Sequence, residues 1–362
     1  MSDEPRQPDA IDPNHDDRHQ AAWVGIATIL LTLAGWTAAP LLIRLFTEDV
    51  DAWTSNGWRY GFAALLWSPL LIWRYAKGTV PPGLWKAALI PGLINAAAQV
   101  AFTKAHYLVE PGLLTFGLRV QIVCVTLGAA IMFPAERVII RRPLFLVGIG
   151  MVLVGTGATA AFEPGLTEGA TGSGVALAML AGAGYALYAL AVRRFVHGIG
   201  PMTAFAAISQ VTAICIVGLM IPFGDRAGLT ALDMEPGRFG LFLLSAIIGI
   251  AAGHVLYYIS IARLGVTVSS GVVQTQPFTV GTASYFLFGE VLRPIQWASG
   301  SVAVGGAVLM LVVQHLVTRR RPVPPVVVSR GAEAELPGEG AEQVCEPVGE
   351  VEGDDGAGTT RA

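Results

Sequence analysis

Residues 21–46 read AAWVGIATILLTLAGWTAAPLLIRLF, and residues 170–195 read ATGSGVALAMLAGAGYALYALAVRRF. Each stretch is long and apolar enough for a helix across a lipid bilayer, which needs about 20 such residues. When the second stretch is laid on the first with a shift of 149 residues, identical residues meet at Ala21 and Ala170, Gly25 and Gly174, Ala27 and Ala176, Ala34 and Ala183, Gly35 and Gly184, Leu41 and Leu190, Arg44 and Arg193, and Phe46 and Phe195. The chain therefore contains an internal repeat, and these two stretches begin its two copies.

The repeat continues along the chain with small changes in the shift. The shift is 157 residues where Gly92 meets Gly249, and it is 154 residues where Glu136 meets Glu290. Each copy holds five predicted helices. Because five is an odd number, the second copy enters the membrane in the opposite direction, and such inverted repeats are typical of secondary transporters, whose sites lie near the midplane.

The composition excludes a soluble or a disordered protein. Of the 362 residues, 53% are hydrophobic and 14% are charged, whereas a soluble domain carries about 25% charged residues. A chain this apolar is not disordered as a whole. The sequence predicts an all-α integral membrane protein with two inverted five-helix repeats, in residues 21–165 and 170–318. The ten predicted transmembrane helices are 22–44, 57–74, 84–106, 111–133, 143–162, 172–194, 201–223, 239–262, 266–289 and 294–317.

The two ends of the chain differ from its middle. Residues 1–20 carry six acidic and two basic residues. Residues 319–362 begin with three arginines and continue into an acidic stretch rich in Pro, Gly and Glu. Neither end can bury a core, and we expect both to be disordered cytoplasmic segments. Their acidic charge gives no indication of nucleic-acid binding.

The basic residues between the helices predict the orientation. If the N-terminus is cytoplasmic, 14 Lys and Arg residues lie on the inner side and six on the outer side. Because cytoplasmic loops carry the excess of basic residues, both termini are expected in the cytoplasm. The predicted location is the plasma (inner) membrane, with several passes. The oligomeric state is not readable from the sequence.

The ends of the two repeats resemble a known family. The second repeat has Pro277, then Phe288-Gly289-Glu290 before a glycine-rich helix, and the first has Pro134-Ala135-Glu136-Arg137 before another. With ten helices in two halves, this pattern resembles the drug/metabolite transporter superfamily, EamA type, over about residues 21–318. The resemblance implies a transporter, with a cavity lined by helices one to four and six to nine. It implies solutes such as amino acids, other metabolites or drugs.

Arg119 is the most informative residue within the predicted helices. It lies eight residues inside the fourth helix, or roughly 12 Å deep at about 1.5 Å per residue. A charged arginine at the bilayer centre costs about 2.5–3.5 kcal/mol on insertion scales, and no acidic residue lies three or four positions away. Two interpretations stay open. Arg119 contacts a solute or a water-filled cavity, or it is a structural hydrogen-bonding hub between helices.

Two other helices place polar residues on one face. The third helix has Pro91, Asn95, Gln99, Phe102 and His106 at helical spacing. The ninth helix has Ser270, Gln274, Pro277, Gly281 and Ser284. Asn95, Gln99 and Gln274 are predicted to line the solute site, and hydrogen bonding or close packing between helices is the alternative.

Four aromatic residues are further candidates for the site. His254 titrates near neutral pH and is a candidate proton carrier with Tyr258 one turn later; a neutral core histidine is the alternative. Trp36 and its repeat mate Tyr185 follow glycines, and they are predicted to flank the site as aromatic walls. Ordinary core packing is the alternative for both.

Three residues are predicted to act in gating or bending. Pro277 removes a backbone hydrogen bond and predicts a bend used in alternating access. Glu136 and Glu290 fall at helix ends, where structural or gating roles fit better than proton transport.

The function predicted from these patterns is secondary transport of a small organic metabolite by alternating access. We expect export of an amino acid or another carboxylate-bearing solute, with a proton as a candidate coupling ion. The alternatives are efflux of drugs or neutral metabolites with Arg119 in a structural role, a channel or scaffold, and a lipid-acting membrane enzyme. No enzyme activity and no cofactor or metal are expected, and no Gly-x4-Gly-Lys-Ser/Thr motif for ATP is present.

Overall fold

A computed structural model describes residues 14–133, 137–163, 166, 169–196, 198–264 and 266–319. Most of the predicted tail residues and Glu136 lie outside these ranges. Within them the secondary structure is helical and contains no strand, which confirms the all-α fold class. The α-helices are α1 (Asn14–Leu45), α2 (Ala52–Ala76), α3 (Leu84–Ala105), α4 (Pro111–Gly117), α5 (Val120–Met132), α6 (Arg137–Ile140), α7 (Pro143–Ala161), α8 (Ala170–Phe195), α9 (Pro201–Phe223), α10 (Pro236–Ala246), α11 (Gly253–Leu264), α12 (Val266–Val273), α13 (Gln276–Phe288) and α14 (Pro294–Arg319).

Eight segments of the described chain are long and apolar enough to cross a membrane. They are Trp23–Leu45, Leu84–Ala105, Pro111–Met132, Pro143–Ala161, Ala170–Phe195, Met202–Phe223, Pro236–Ile261 and Pro294–Val317. Two of the ten predicted helices are not among them. Helix α2 has 25 residues but is more polar, and the ninth predicted helix is divided into α12 and α13.

Helix α2 begins at Ala52, five residues earlier than the sequence predicted. The carboxylate of Asp51 accepts hydrogen bonds from the backbone N–H groups of Trp53 (2.8 Å) and Thr54 (3.1 Å), so it caps the helix. Thr54, Ser55 and Asn56 are polar, so a hydropathy pattern does not detect this start of the helix. The earlier start places Arg59 two turns inside α2.

The fourth and ninth predicted helices are both broken in the middle. Helices α4 and α5 are separated by Leu118 and Arg119, where the backbone makes tighter i to i−3 hydrogen bonds, such as Arg119 N to Phe116 O (3.1 Å). Helices α12 and α13 are separated by Gln274 and Thr275. Pro277 lies in the first turn of α13, where its missing N–H is tolerated.

The helices pack in pairs that are distant in sequence. Helix α1 packs on α11, α3 on α8, α2 on α9, α4 on α13, and α7 on α14. The last pair is very close, because a Cβ at Gly155 would lie 2.5 Å from the backbone nitrogen of Ala303. Small residues allow such approaches between helices in a membrane.

Candidate functional site

Arg119 lies in the break between α4 and α5, and its guanidinium reaches the break between α12 and α13. Nη1 donates a hydrogen bond to Gln274 Oε1 (2.9 Å), and Nη2 donates to Gln276 Oε1 (3.3 Å). Nε donates to the carbonyl oxygen of Thr115 (3.3 Å), and the residue is 6% exposed. Neutral oxygens therefore solvate the buried charge. These contacts are those of a hydrogen-bonding hub, and solute binding by Arg119 stays a prediction.

Gln276 connects this hub to the first helix. Its Oε1 accepts from Arg119, and its Nε2 donates to the backbone oxygen of Trp36 (2.6 Å). One turn later, Thr279 Oγ1 and Thr37 Oγ1 lie 2.6 Å apart. Three segments that are far apart in sequence therefore meet here. They are the α4–α5 break, the start of α13 and the middle of α1.

The sequence pattern missed Gln276. Two residues apart on a continuous helix, Gln274 and Gln276 would lie on different faces. The break at Gln274 and Thr275 directs both amides toward Arg119. The available signal was the position of Gln276 directly before Pro277, where a helix is expected to restart.

An aromatic group surrounds His254 on α11. The ring of Trp36 meets it edge-on at 5.6 Å between centroids, and the ring of Phe205 from α9 stacks on it at 4.8 Å. Tyr258 meets Phe205 at 6.5 Å, and Tyr257 meets Trp36 at 5.0 Å. The pattern identified three members of this group and missed Phe205 and Tyr257.

The hydrogen bonding of His254 is local. Its Nδ1 lies 3.0 Å from the backbone oxygen of Ile250 in the preceding turn, so Nδ1 carries the proton of a neutral ring and donates it. Together with the stacking on Phe205, this is the environment of a core histidine. A role in proton transport stays a prediction.

The polar residues of α3 have different surroundings. Asn95 Nδ2 donates to Thr212 Oγ1 on α9 (3.2 Å), and Thr212 donates to the backbone oxygen of Gly92 (3.2 Å), so Asn95 joins two helices. Gln99 is half-buried and has no hydrogen bond to the described part of the chain. Tyr185 on α8 packs against Phe102 at 5.8 Å. Lining of a solute site by Asn95, Gln99 and Tyr185 stays a prediction.

Glu290 fixes the beginning of α4. Its carboxylate accepts hydrogen bonds from the backbone N–H groups of Gly112 and Leu113, both at 2.9 Å, and it is 9% exposed. An anion is favourable at a helix N-terminus. Glu110, the residue before α4, pairs with Arg44 of α1 through two hydrogen bonds of 2.7 and 3.0 Å. The start of α4 is thus held from two sides.

The structure brings together some of the predicted site residues and separates others. Arg119 contacts Gln274, and Trp36 contacts His254. Pro277 is buried at the start of α13, directly after Gln276. Glu136 lies outside the described residues, and within them no three His, Cys, Asp or Glu side chains come together as metal ligands.

Comparison with known proteins adds a family and a fold. Residues 172–312 match the model of the EamA-like transporter family, which confirms the family resemblance for the second half of the chain. No curated protein matches the sequence significantly. A solved crystal structure of another protein has 18% sequence identity and a TM-score of 0.52, over 83% of this chain and 99% of that chain. At this identity, the likeness shows the fold alone.

Proposed function

We propose that this chain, whose residues 172–312 match the EamA-like transporter family, is a secondary transporter that moves a small organic solute by alternating access. The family match is the observation that carries the proposal. The all-helical fold and the eight apolar segments support it, because apolar helices can cross a bilayer with their backbone hydrogen bonds satisfied. The solute is proposed to be a carboxylate-bearing metabolite such as an amino acid, and the direction is export.

We further propose ten transmembrane segments in two inverted repeats, residues 21–165 and 170–318. Helix α2 and the broken pair α12 and α13 then supply the two segments that apolarity alone does not identify. The packing supports this arrangement. In two such repeats, the first and third segments correspond to the sixth and eighth. If the first segment packs on the eighth, the sixth is therefore expected to pack on the third. Both contacts are present, as α1 on α11 and as α8 on α3.

The positions of the two breaks support the same repeat. Helix α4 ends at Gly117 and α12 ends at Val273, 156 residues later. Helix α5 begins at Val120 and α13 begins at Gln276, again 156 residues later. This shift agrees with the 157 and 154 residues that align the neighbouring parts of the sequence. Broken helices that face each other at the repeat interface are typical of transporter sites.

We place the solute site beside the two breaks. The residues proposed to line it are Arg119, Asn95, Gln99, Trp36, Tyr185, His254, Tyr258 and Gln274. Arg119 holds the breaks together through the two glutamines, which favours its structural role in this conformation. Pro277, Glu136 and Glu290 are proposed to act in bending and gating. The proposed orientation has both termini in the cytoplasm and the chain in the plasma membrane.

Efflux of neutral or drug-like solutes is the second candidate. It is favoured by one observation, the bonding of Arg119 to neutral amide oxygens that leaves no need for a solute anion. Both candidates are tested by reconstituting the full chain into liposomes loaded with one solute and measuring exchange against labelled amino acids, organic acids, neutral metabolites and lipophilic cations. Exchange of acids supports the first candidate, and exchange of neutral or cationic solutes alone supports the second. Passive flux at channel rates, or no flux of any solute, contradicts both.

A further inference from the structure

A second buried arginine lies on α2, outside the residues that the sequence pattern singled out. Arg59 is 3% exposed, and its Nε donates a hydrogen bond to Ser245 Oγ on α10 (3.0 Å). No carboxylate in the described part of the chain forms an ion pair with it. A buried charge is costly unless it is paired and hydrogen-bonded. Arg59 differs in this from Arg119, whose guanidinium has three acceptors.

Buried polar atoms without partners lie on the same elements. Asn56, one turn before Arg59 on α2, is 1% exposed, and neither Nδ2 nor Oδ1 of its amide has a hydrogen bond. At the end of α3, Thr103 Oγ1 and His106 Nε2 are also buried without a partner. Most buried polar groups in proteins are hydrogen-bonded, so a group of exceptions needs an explanation such as a missing ligand.

The end of α3 lies beside the beginning of α2. Tyr107, which follows His106, donates a hydrogen bond from its hydroxyl to the backbone oxygen of Val50 (2.6 Å), just before α2. His106 is 0% exposed, and burial away from water disfavours the charged form of its ring. The ring is therefore neutral at physiological pH. The rings of Phe102 and Tyr185 form a wall beside it, with Phe102 to His106 at 4.6 Å.

Arg59 and His106 have opposite hydrogen-bonding character. Arg59 is a cation with several donors, which suits a carboxylate. His106 Nδ1 lies 2.8 Å from the backbone oxygen of Phe102, so Nδ1 carries the proton and Nε2 is an unpaired acceptor. Asn56, one turn before Arg59 on α2, offers both a donor and an acceptor. A ligand that matches all three has a carboxylate next to an N–H or O–H group.

We propose that Arg59, Asn56 and His106 bind a small solute that carries a carboxylate beside a hydrogen-bond donor, as in an α-amino acid or an α-hydroxy acid. Arg59 holds the carboxylate, and His106 Nε2 accepts the hydrogen bond of the amine or hydroxyl. This inference rests on the proposed transport function and assigns the recognition of the carboxylate to Arg59 rather than Arg119. The three side chains are buried in this structure.

The test uses matched ligands and thermal unfolding of the purified full chain in detergent. The ligands are L-alanine, L-glutamate and L-phenylalanine, each with its α-hydroxy acid, its amide lacking the α-carboxylate, and its analogue lacking the α-amine. We expect at least one amino or hydroxy acid to raise the Tm, with the corresponding amide and amine-free analogue binding at least tenfold more weakly. If only the hydroxy acid raises the Tm, the hydrogen-bond donor of the ligand is its hydroxyl group. If only the amino acid raises it, the donor is the amine. No shift with any acid, or equal shifts with the amides, overturns the proposal.

Asn56→Asp is the decisive variant, because it places a carboxylate one turn from Arg59, where side chains three apart on a helix meet. We expect the variant to unfold at a higher Tm than the wild type without ligand and to lose the response to acids. Arg226→Gln, at an exposed arginine, is the control and keeps the response. A folded Asn56→Asp protein with the full response overturns the proposal. Transport is measured with the wild type and with this variant in liposomes. If both transport the acids equally well, the proposed site is wrong and the transport function stands. If the wild type transports no solute, the transport function is refuted instead.

Discussion

Glu290 Oε2 accepts a hydrogen bond of 2.9 Å from the backbone N–H of Gly112, across 178 residues of sequence. This bond and its neighbour from Leu113 attach the two proposed repeats to each other. The side chain of Glu290 therefore caps α4. Glu110, directly before α4, makes no capping hydrogen bond and pairs with Arg44 instead.

Gly112→Ala is expected to disrupt this attachment. A Cβ at position 112 would lie 2.6 Å from Glu290 Oε1, closer than any ordinary contact, so the carboxylate must move away from the two N–H groups. We expect a loss of about 1–3 kcal/mol from the free energy of unfolding, the usual effect of leaving buried polar groups unpaired. The measurement is thermal unfolding in detergent. Gly150→Ala in α7 is the matched control, because its Cβ meets nothing within 4 Å, and it is expected to unfold like the wild type. Equal stability of the two variants would contradict the prediction.

Titration of Glu290 is expected to make stability depend on pH. Burial raises the pKa of Glu290 above its ordinary value of 4.5, against the nearby Ser284 hydroxyl and the hydrogen bonds from the backbone N–H groups of Gly112 and Leu113, which lower it, and the charge of Glu110 raises it further. The folded chain then binds this proton more tightly than the unfolded chain. Between the two pKa values, the free energy of unfolding rises as the pH falls.

Comparison with Glu290→Gln isolates this contribution, since the amide does not titrate. As the pH is lowered from 7.5 to 5, the Tm of the wild type is expected to rise relative to that of the variant. A difference in Tm that stays constant or shrinks over this range would show that the two N–H groups, rather than burial, dominate the pKa of Glu290.

Arg119→Gln is expected to destabilise the fold. The variant leaves the half-buried amide oxygens of Gln274 and Gln276 without their donor, and about 1–3 kcal/mol, the cost of a fully buried polar group left unpaired, is the upper limit for each. Arg119→Lys is expected to be intermediate, because an ammonium cannot replace the planar fork that reaches both oxygens. Arg263→Gln, at an exposed arginine in the last turn of α11, serves as the control in the same unfolding measurement. Wild-type stability of Arg119→Gln would refute the hub.

Substitutions of Asn95 and Gln99 are expected to have different effects on stability and on transport. Asn95→Leu removes the hydrogen bond to Thr212 and is expected to lower the free energy of unfolding by about 1 kcal/mol. Gln99→Leu removes no hydrogen bond to the described chain, so it is expected to leave the Tm unchanged. If Gln99 lines the solute site, the same variant reduces exchange in liposomes. A Gln99→Leu protein with wild-type exchange would remove Gln99 from the site, and an unchanged Tm for Asn95→Leu would contradict the structural role of Asn95.

The fold class was predictable because its signals are local. Long apolar stretches and short loops predict helices wherever they occur, and the aligned pairs at Gly92 and Gly249 and at Glu136 and Glu290 predict the same order of helices in both halves. Boundaries were less predictable where polar residues begin a helix, as at Asp51, since a hydropathy pattern does not detect a cap. Pro277 indicated the break in the ninth predicted helix. The fourth predicted helix has no proline at its break, so the sequence did not indicate that one.

By itself, the sequence determined that this protein is helical and apolar, and that Arg119 needs a partner inside an apolar helix. Only the tertiary structure decided which partner, because Gln274 is 155 residues away and Gln276 faces Arg119 only where the helix is broken. It also decided that Arg59 is buried without a carboxylate, while the sequence placed it near a helix end. The physical reason is the same in each case. Hydrophobic length and periodicity are properties of neighbouring residues, whereas the solvation of a buried charge depends on side chains that packing alone brings together.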